Sequence, residues 1–405
     1  MITLIAPGTP LEGTLHLPSS KSISNRALLL SLLGGGTQPV ENTALCDDTR
    51  VLVKALSSVS STVDVGAAGT AMRFLTAYYA LQEGRSVTLT GSERMKQRPI
   101  GVLVNALRSL GARIDYAGQE GFPPLFITGS RLRGGSLTVD AAISSQYISA
   151  LLMIAPLLEG GLTLHLEGDI VSLPYIEMTL EMMRLFGARA CREKNLIVVE
   201  QGSYRSLPFT VESDWSAASY GYALVALTPS SRLFLPGLQQ VSLQGDSAAA
   251  SLFSSLGVAT HFDEKGVTLT HTAAQCSRFS YDFVEQPDLV QTFAVVCCLK
   301  NIPFSFTGVH NLALKETDRL QALVTELAKL GYTLLADTDS LSWEGSHCIP
   351  QEQPVIATYQ DHRMAMAFAP ATLLCGPLHI QDETVVSKSF PDFWNQLARL
   401  GFVIQ

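Results

Sequence analysis

The sequence predicts an α/β protein of two similar domains, each built from three repeated α/β units of about 70 residues. Two observations lead to this fold class. Five segments share one order of elements, an amphipathic helix, a glycine and a β-rich stretch, and their spacing along the 405 residues is nearly constant. Because domains hold about 100–200 residues, this length corresponds to two or three domains. Six such units therefore divide into two domains of three.

The repeat is visible where the predicted helices end. Glycine best adopts the positive φ that follows many helices, and each of the five segments places one there. Successive glycines lie 76, 70, 74 and 70 residues apart, and they are Gly111, Gly187, Gly257, Gly331 and Gly401. Extrapolation places a weaker sixth copy near residues 55–65. A single glycine after a helix is only a common cap, but five at this spacing favour small α/β repeats.

The boundary between the two halves is expected near Glu212. Residues 202–208 are polar and rich in turn formers, and Ser213 and Asp214 are capping residues directly before a new apolar run. A helix is therefore expected to open the second half.

Composition and charge exclude several classes of protein. Hydrophobic residues make up 47% of the chain and charged residues 16%, which is the range of compact proteins and not of disordered ones. The net charge is −8, from 28 Lys and Arg against 36 Asp and Glu, and no long basic run occurs. We therefore expect no nucleic-acid partner, because duplex binding normally needs a broad basic face.

The sequence also predicts a protein of the cytoplasm. Residues 1–10 lack the basic and continuous apolar regions of a secretion signal. The longest apolar stretch, residues 147–158, contains a proline and is shorter than the roughly 18–20 residues of a membrane span, so we expect a buried helix and no membrane partner. The seven cysteines include no Cys-x-x-Cys pair, which argues against a disulfide framework or a zinc site.

The first candidate functional segment places two cations and several hydroxyls at the start of a helix. Lys21, Ser22 and Arg26 directly precede the apolar run 27–33. The N–H groups and the positive dipole end of a helix favour an anion there, and Lys and Arg add charge and hydrogen bonds. Capping explains the hydroxyls but leaves the cations at the unfavourable end. We therefore favour an anion site.

Two segments repeat this pattern more weakly. Gly69 lies in a two-glycine turn before an apolar helix, where a ligand can approach the backbone closely. Arg94, Lys96 and Arg98 precede Pro99, which we expect to start a helix. A solvated turn explains the three cations equally well.

Polar helix starts also occur in two other places. Ser144, Ser145 and Gln146 open one apolar run, and Ser172 and Tyr175 open another. Such side chains suit phosphate or sugar-like hydroxyls, but ordinary N-caps have the same residue types. Taken singly, capping is the better interpretation.

The second half of the chain carries the candidate acid and base. Asp288 precedes a very apolar run, where it serves either as an N-cap or as a general base. Lys315, Glu316 and Arg319 lie in a polar segment that opens another helix. Lys315 and Arg319 are four residues apart, so we expect them to share a helix face, where a bound anion or an acidic neighbour would relieve their repulsion. An exposed first turn with ion pairs is the alternative.

Two more cations follow. Arg363 stands after Asp361 and His362 at the start of an apolar helix, and Lys388 precedes a Ser-Phe-Pro segment. His362 has no second His or Cys at ligand spacing, so we expect no metal. Nucleotide-binding and serine-hydrolase motifs are absent from the sequence, which favours chemistry without a cofactor. Together, these segments predict a concave site for one or two phosphorylated small molecules with acid and base groups nearby.

These motifs resemble, in order and over essentially the whole chain, those of the EPSP synthase (3-phosphoshikimate 1-carboxyvinyltransferase) family. The matching segments are 20–26, 68–73, 97–101, 144–146, 315–319 and 361–366. The resemblance implies two domains of three α/β units each, an inside-out α/β barrel, with the active site in the interdomain cleft. The family's first strand belongs to the C-terminal domain, so the implied domains are 19–212 and 1–18 plus 213–405.

The resemblance also implies a reaction. The enolpyruvyl group of phosphoenolpyruvate passes to the 5-hydroxyl of shikimate 3-phosphate, and phosphate leaves through a tetrahedral intermediate. This step belongs to the shikimate pathway of aromatic amino-acid biosynthesis. The resemblance implies no metal or cofactor, a monomer, and a phosphoenolpyruvate pocket that also binds glyphosate.

Carried over residue by residue, the resemblance implies two binding sets. The shikimate 3-phosphate set is Lys21, Ser22, Arg26, Ser144, Ser145, Gln146, Ser172, Tyr175, Asp288, Asn311 and Lys315. The phosphoenolpyruvate set is Lys21, Gly69, Arg98, Gln146, Arg319, Arg363 and Lys388. The resemblance further implies that Asp288 accepts the hydroxyl proton, that Glu316 delivers a proton to the methylene carbon, and that Lys21 stabilises charge.

Three positions depart from the commonest family pattern. Ala67, Leu173 and Ala313 stand where Asn, Lys and Arg are usual, which bears on affinity and inhibitor response more than on the reaction. One alternative is enolpyruvyl transfer to UDP-N-acetylglucosamine, but that enzyme uses a loop cysteine, and residues 91–100 contain none. The other alternative is a catalytically weak or silent homologue that binds phosphorylated metabolites.

Overall fold

The structure is a computed structural model that describes residues 1–142 and 144–405. The chain divides into two compact units. We call Ser20–Val211 the N-terminal unit, and Met1–Ser19 together with Glu212–Gln405 the C-terminal unit.

The described residues form 22 strands. In chain order they are β1 Ile2–Ile5, β2 Glu12–Thr14, β3 Val40–Glu41, β4 Thr62–Asp64, β5 Ser86–Thr90, β6 Arg113–Tyr116, β7 Leu125–Thr128, β8 Arg133–Asp140, β9 Glu159–Glu167, β10 Ala190–Glu193, β11 Leu196–Val199, β12 Phe209–Thr210, β13 Arg232–Pro236, β14 Val258–Asp263, β15 Gly266–His271, β16 Phe279–Asp282, β17 Phe304–Thr307, β18 Leu335–Ala336, β19 Ser340–Trp343, β20 Val355–Ile356, β21 Leu378–Ile380 and β22 Val403–Ile404.

The same residues form 14 α-helices and six short 3-10 turns. The α-helices are α1 Lys21–Leu33, α2 Asp47–Ser57, α3 Gly69–Ala80, α4 Glu93–Lys96, α5 Gly101–Ser109, α6 Ser145–Ile154, α7 Leu173–Leu185, α8 Trp215–Leu227, α9 Ala249–Ser255, α10 Val290–Leu299, α11 Arg319–Lys329, α12 His362–Phe368, α13 Thr372–Cys375 and α14 Phe393–Arg399. The 3-10 turns are Ala155–Leu157, Gly245–Ala248, Pro287–Leu289, His310–Leu314, Ala369–Ala371 and Thr384–Lys388.

One strand-pairing pattern recurs in five four-stranded sheets. Each sheet has a parallel pair at one edge, followed by two antiparallel pairs. The orders are β4-β5-β7-β6 and β8-β9-β11-β10 in the N-terminal unit, and β2-β13-β15-β14, β16-β17-β19-β18 and β20-β21-β1-β22 in the C-terminal unit. The N-terminal unit adds a reduced sixth sheet, the parallel pair β3 and β12. The predicted α/β repeat is therefore confirmed.

The five spaced glycines mark the same point in each four-stranded sheet. All five have positive φ, between 92° and 98°, and each follows a helix and precedes the outermost antiparallel strand. The sixth copy expected near residues 55–65 is wrong. Helix α2 ends there without a glycine, with Ser58 at φ −72°, and β4 after it is the parallel edge strand of its sheet.

The core of the C-terminal unit contains helices that are buried almost all round. In α10 and α12 every residue is buried, and in α8 all but Ser216 are. Helices that are apolar on all sides have no solvent face to present, so they lie inside their layer. The polar side chains at their N-terminal ends are consequently held by a rigid interior. None of the helices in the described residues has the length and apolar character that a membrane span requires.

Several predicted helix starts differ from the structure. Helix α5 begins at Gly101, so Pro99 lies in the preceding loop and does not start it. Asp288 lies in the 3-10 turn before α10 and is not an N-cap of that helix. The helix expected after Asp214 is α8, and the Asp214 side chain caps it by accepting a hydrogen bond from the Ala217 N–H.

Candidate active site

In the N-terminal unit, Lys21 opens α1 beside a carboxylate. The Ser20 hydroxyl caps the helix by accepting from the Ile23 N–H at 3.4 Å. The Lys21 ammonium lies 3.1 Å from the Asp48 carboxylate, and the Lys21 side chain remains 18% exposed while that of Asp48 is 6% exposed. Asp48 therefore offsets the unfavourable position of a cation at a helix N-terminus.

Arg26 lies deeper and joins three helices. Its guanidinium donates to the Thr179 hydroxyl at 2.7 Å, to the Ser149 hydroxyl at 3.0 Å and to the carbonyls of Ser22 and Tyr175 at 3.1 and 3.3 Å. Burial lowers the pKa of Arg26 to about 10, against the opposing effect of Tyr175. The group therefore remains a cation at neutral pH and holds together α1, α6 and α7.

The polar starts of α6 and α7 differ from each other. The Ser144 hydroxyl accepts from the Gln146 N–H at 3.3 Å, so the capping interpretation is confirmed for Ser144. The Gln146 amide in turn donates to the Thr70 hydroxyl of α3 at 3.4 Å. Ser172 occupies the N-cap position of α7 in the left-handed region, with φ 57°, and its buried side chain makes no capping bond. Non-glycine residues in that region cost about 1–3 kcal/mol, and such strain is often found at functional sites.

Gly69 and Arg98 are brought together. A Cβ atom built on Gly69 would lie 2.7 Å from the Arg98 Nη1, so only glycine lets the guanidinium approach the start of α3 this closely. Arg73 holds the loop in place, donating to the carbonyls of Gly69 at 3.3 Å and Pro99 at 3.0 Å, and the Tyr147 hydroxyl donates to the same Pro99 carbonyl. Arg73 belongs to the same motif as Gly69, but no role is predictable for it from the sequence alone.

Lys96, another cation of that loop, is not equivalent to Arg98. Lys96 forms an exposed ion pair with Glu93 at 2.7 Å, three residues earlier on α4. The solvated-turn alternative therefore describes Lys96, and the candidate anion contact in this loop is Arg98.

In the C-terminal unit, Arg319 is the centre of a buried ionic network. Its guanidinium reaches the carboxylates of Asp361 at 2.7 Å, Asp288 at 3.1 Å and Glu316 at 3.2 Å, and its side chain is 2% exposed. Burial lowers the pKa of Arg319, but the charges of Asp361, Glu316 and Asp288 raise it by more than burial lowers it. The pKa of Arg319 therefore lies above its ordinary value. The acidic neighbours that the sequence allowed for are therefore present.

The network extends to two more predicted cations. Arg363 donates to the Asp288 carboxylate at 2.8 Å, and the Lys388 ammonium lies 2.6 Å from the Glu316 carboxylate. Asp288 and Glu316 are thus each held by two cations, and they share Arg319. In the C-terminal unit the structure brings together five of the predicted site residues.

Asp361 was missed as a member of this site. It is fully buried and caps α12 by accepting a hydrogen bond from the Arg363 N–H at 2.9 Å. Its carboxylate also accepts a hydrogen bond from the Arg319 Nε. The sequence signal was available in the Asp-His-Arg triplet, but only the fold shows that its partner lies 42 residues earlier. The neighbouring His362 side chain is buried, with Nδ1 3.5 Å from the Asp361 carboxylate.

Lys315 and Asn311 lie before α11 and not on it. Asn311 is buried in the 3-10 turn His310–Leu314, and Lys315 follows in extended backbone. The expectation that Lys315 and Arg319 share a helix face is wrong, because Asp318 caps α11 and the helix begins only at Arg319. Among the described residues no group of three or more His, Cys, Asp and Glu side chains is arranged for a metal ion.

A further buried carboxylate, Asp246, lies close to this network. Its side chain is 3% exposed and accepts a hydrogen bond from the Ser216 hydroxyl of α8. Burial and the charge of Asp288 raise the pKa of Asp246 to about 7, against the opposing charge of Arg363. Asp246 therefore titrates near neutrality.

This shift predicts a pH dependence of stability. Between about pH 4 and 7 the folded chain holds a proton on Asp246 that the unfolded chain releases, so this group makes the free energy of unfolding fall as pH rises, by at most about 1.4 kcal/mol per pH unit. Asp246→Asn removes that dependence. Urea unfolding at pH 5, 7 and 9 should show the variant gaining stability relative to the unmodified chain up to about pH 7 and little beyond. Parallel pH profiles of the two proteins would contradict the assignment.

Comparison with known proteins places the chain in a family. The model of EPSP synthase (3-phosphoshikimate 1-carboxyvinyltransferase) matches residues 5–64 and 57–397. The 3-phosphoshikimate 1-carboxyvinyltransferase of Bacteroides fragilis (strain YCH46) is 52% identical over 404 residues, covering 99% of this chain and 98% of that protein. The protein of the same name from Yersinia ruckeri is 38% identical over 433 residues, covering 98% of each.

The fold agrees with these sequence relationships. The structure of EPSP synthase from Acinetobacter baumannii is 21% identical, has a TM-score of 0.77, and covers 100% of this chain and 99% of its own. At that identity the likeness concerns the fold alone. Since the family model spans nearly the whole chain and the curated relatives are similar over their full length, the chain belongs to the EPSP synthase (3-phosphoshikimate 1-carboxyvinyltransferase) family of transferases.

Proposed function

We propose that this chain transfers the enolpyruvyl group of phosphoenolpyruvate to the 5-hydroxyl of shikimate 3-phosphate, with release of phosphate. The observation that carries the proposal is the network around Arg319, which places two carboxylates beside three cations. An addition and elimination between two anions needs cations to hold phosphate and carboxylate, and an acid and a base to move protons. Membership of the family supports the same reaction.

Phosphoenolpyruvate is assigned to the cation-rich groups. Its phosphate and carboxylate are assigned to six groups: Arg319, Arg363, Lys388, Lys21, Arg98 and the Gly69 N–H. Guanidinium groups bind such planar anions through paired hydrogen bonds. The Gln146 amide supplies a neutral donor to the same substrate.

Shikimate 3-phosphate is assigned to the hydroxyl-rich helix starts. The contributing residues are Lys21, Ser22, Arg26, Ser144, Ser145, Gln146, Ser172, Tyr175, Asp288, Asn311 and Lys315. The starts of α1, α6 and α7 offer N–H groups and hydroxyls to the phosphate and ring hydroxyls. The contacts of Arg26 are with protein groups, so it also fixes these three helices.

Asp288 and Glu316 each carry out one proton transfer of the addition step. Asp288 accepts the proton of the attacking 5-hydroxyl as the oxygen bonds to C2 of phosphoenolpyruvate, and Glu316 gives a proton to the methylene carbon. Lys21 stabilises the charge that develops on the substrate oxygens. Loss of phosphate and of one methyl proton from the tetrahedral intermediate then restores the double bond.

The ion pairs supply a reason for these roles. Two cations hold Glu316, namely Lys388 and Arg319. Both of them are assigned to phosphoenolpyruvate. When the substrate anion takes these cations, Glu316 loses its counter-charges and faces a like charge, so it binds a proton more readily. Binding of phosphoenolpyruvate therefore favours the protonated form of Glu316, which is the form that can donate a proton.

The decisive experiment measures phosphate release from phosphoenolpyruvate, with and without shikimate 3-phosphate, and with UDP-N-acetylglucosamine as a parallel acceptor. No metal is added, because no cofactor is assigned in the proposed reaction. Release only with shikimate 3-phosphate is expected. Tight binding of shikimate 3-phosphate without release of phosphate would contradict the proposal and indicate a silent homologue, in which Ala67, Leu173 and Ala313 matter more than expected.

We further propose that the protein is a monomer and lies in the cytoplasm. Light scattering tests the oligomeric state, and cell fractionation tests the location.

Gly69→Ala tests the assignment of Arg98. The added methyl would meet the Arg98 guanidinium at 2.7 Å, and a flexible side-chain end moves more easily than backbone. Because small misplacements of a binding group are costly, the KM for phosphoenolpyruvate should rise about tenfold, with little change for shikimate 3-phosphate. Gly202→Ala, where a Cβ meets nothing within 4 Å, is the matched control in the same unit. An unchanged KM in Gly69→Ala would remove Arg98 from the phosphoenolpyruvate set.

A further inference from the structure

The segment that leads into α12 has an unusual backbone. Residues 355–361, which we call the leader segment, run from β20 to the Asp361 cap. Within it, Tyr359 and Gln360 both have left-handed φ, 53° and 57°, although neither is glycine. Two consecutive non-glycine residues in this region are strained, so the surrounding contacts must hold them.

A buried carboxylate on α11 supplies those contacts. Glu326 is fully buried, and its Oε1 accepts from the Tyr359 hydroxyl at 2.7 Å while its Oε2 accepts from the Ala357 N–H at 2.9 Å. Lys329, one turn further along the helix, donates to the same Oε2 at 2.7 Å and to the Val355 carbonyl at 2.8 Å. A buried carboxylate is costly unless it is fully hydrogen-bonded, and here both oxygens are used.

The other end of α11 binds the other end of the leader segment. Arg319, at the first position of the helix, donates to both oxygens of Asp361 at 2.7 and 3.4 Å. The helix therefore holds the leader segment at two places, with the left-handed turn between them. Burial and the Glu326 carboxylate raise the pKa of Tyr359 to about 12, so its hydroxyl stays a donor throughout the neutral range.

We propose that Glu326 and Tyr359 are positioning residues that fix Asp361 and Arg363 relative to Arg319, and so set the spacing of the two guanidinium groups that bind phosphoenolpyruvate. This inference rests on the proposed function, which assigns Arg319 and Arg363 to that substrate. Glu326 and Tyr359 act only through the leader segment. A positioning role predicts that variants of Glu326 or Tyr359 raise the KM for phosphoenolpyruvate and not that for shikimate 3-phosphate. A purely structural role predicts that the variants lower stability and leave both KM values unchanged.

The test compares two tyrosine variants of the full chain. Tyr359→Phe removes one hydrogen bond to Glu326, which is worth about 1 kcal/mol, and should raise the KM for phosphoenolpyruvate about fivefold with less than a twofold change for shikimate 3-phosphate. Tyr222→Phe is the control: it removes a bond of similar length, 3.0 Å to the Thr260 hydroxyl, from a more buried position in the same unit. It should lower the melting temperature at least as much and leave both KM values unchanged.

Glu326→Gln provides an independent variant. Its amide offers one oxygen where the carboxylate offers two, so it should raise the KM for phosphoenolpyruvate more than Tyr359→Phe does. KM does not depend on the fraction of molecules that fold, so lower yields do not affect the comparison. Equal KM changes for both substrates, a rise in Tyr222→Phe that matches Tyr359→Phe, or an unshifted KM in folded Tyr359→Phe would each overturn the positioning role. Absence of phosphate release by the unmodified chain would instead contradict the proposed function.

Discussion

Replacing Lys21 with methionine is expected to lower kcat about 100- to 1,000-fold while the chain stays folded. Removal of a group that stabilises developing charge in an active site typically has an effect of this size. Methionine keeps an unbranched, flexible stem, so packing changes little, but Asp48, which is 6% exposed, loses its ion pair, so we expect some loss of stability without unfolding. The measurement is single-turnover phosphate release, with circular dichroism and the melting temperature as checks on folding.

Lys96→Met is the matched control for this variant. Lys96 also belongs to the N-terminal unit, but its ion pair with Glu93 is exposed and no substrate contact is assigned to it. Its turnover should lie within about twofold of normal, because exposed ion pairs contribute little. Near-normal activity in folded Lys21→Met would contradict the role given to Lys21, and an equal loss in both variants would indicate a general charge effect.

Arg319→Met is expected to lower the free energy of unfolding by about 3–5 kcal/mol. Removing one partner of a buried ion pair leaves an uncompensated charge, and that is the cost usually measured. Here Asp361 loses two hydrogen bonds in the dry interior, and Asp288 and Glu316 each lose one of their cations. Urea unfolding of the full chain, followed by the fluorescence of Trp215, Trp343 and Trp394, which all lie in the C-terminal unit, provides the measurement.

Repeating the urea unfolding at lower pH tests whether uncompensated charge causes the loss of stability in Arg319→Met. Lowering the pH protonates the carboxylates that Arg319 no longer compensates, so the difference between Arg319→Met and the unmodified chain should shrink toward pH 4. Arg278→Met is the control, because its two hydrogen bonds to Glu344 are exposed, and it should leave the unfolding midpoint nearly unchanged. A loss for Arg319→Met that is independent of pH would mean that packing, and not charge, dominates.

Features decided within a few residues were predictable from the sequence. The five glycines that end helices adopt positive φ, as expected, because the need for that conformation arises at the helix end itself. Asp214 and Ser144 cap the helices that follow them for the same local reason. The order of the motifs along the chain was sufficient to indicate the family.

Features that depend on distant contacts were not predictable. Both Thr317 and Asp318 can cap a helix, and only the fold selects Asp318, which removes Lys315 from the helix face expected for it. Glu326 lies on an amphipathic helix, where glutamate usually faces water, yet its partners are 31 and 33 residues away and bury it. The glycine pattern of the sixth copy is missing near residues 55–65, and the sixth sheet is the reduced pair β3 and β12, because spacing along the chain does not determine which strands pair.

The position of β1 makes the order of synthesis matter for folding. This strand is internal to its sheet, between β21 and β22, and Thr3 exchanges backbone hydrogen bonds with Gln405. Residues 20–211 form a continuous stretch that is made before most of the C-terminal unit, whereas the sheet containing β1 cannot close until residues 378–404 have been made. β1 therefore lacks both of its native partner strands until the C-terminal unit is nearly synthesised, so this sheet can close only after the N-terminal unit has been made.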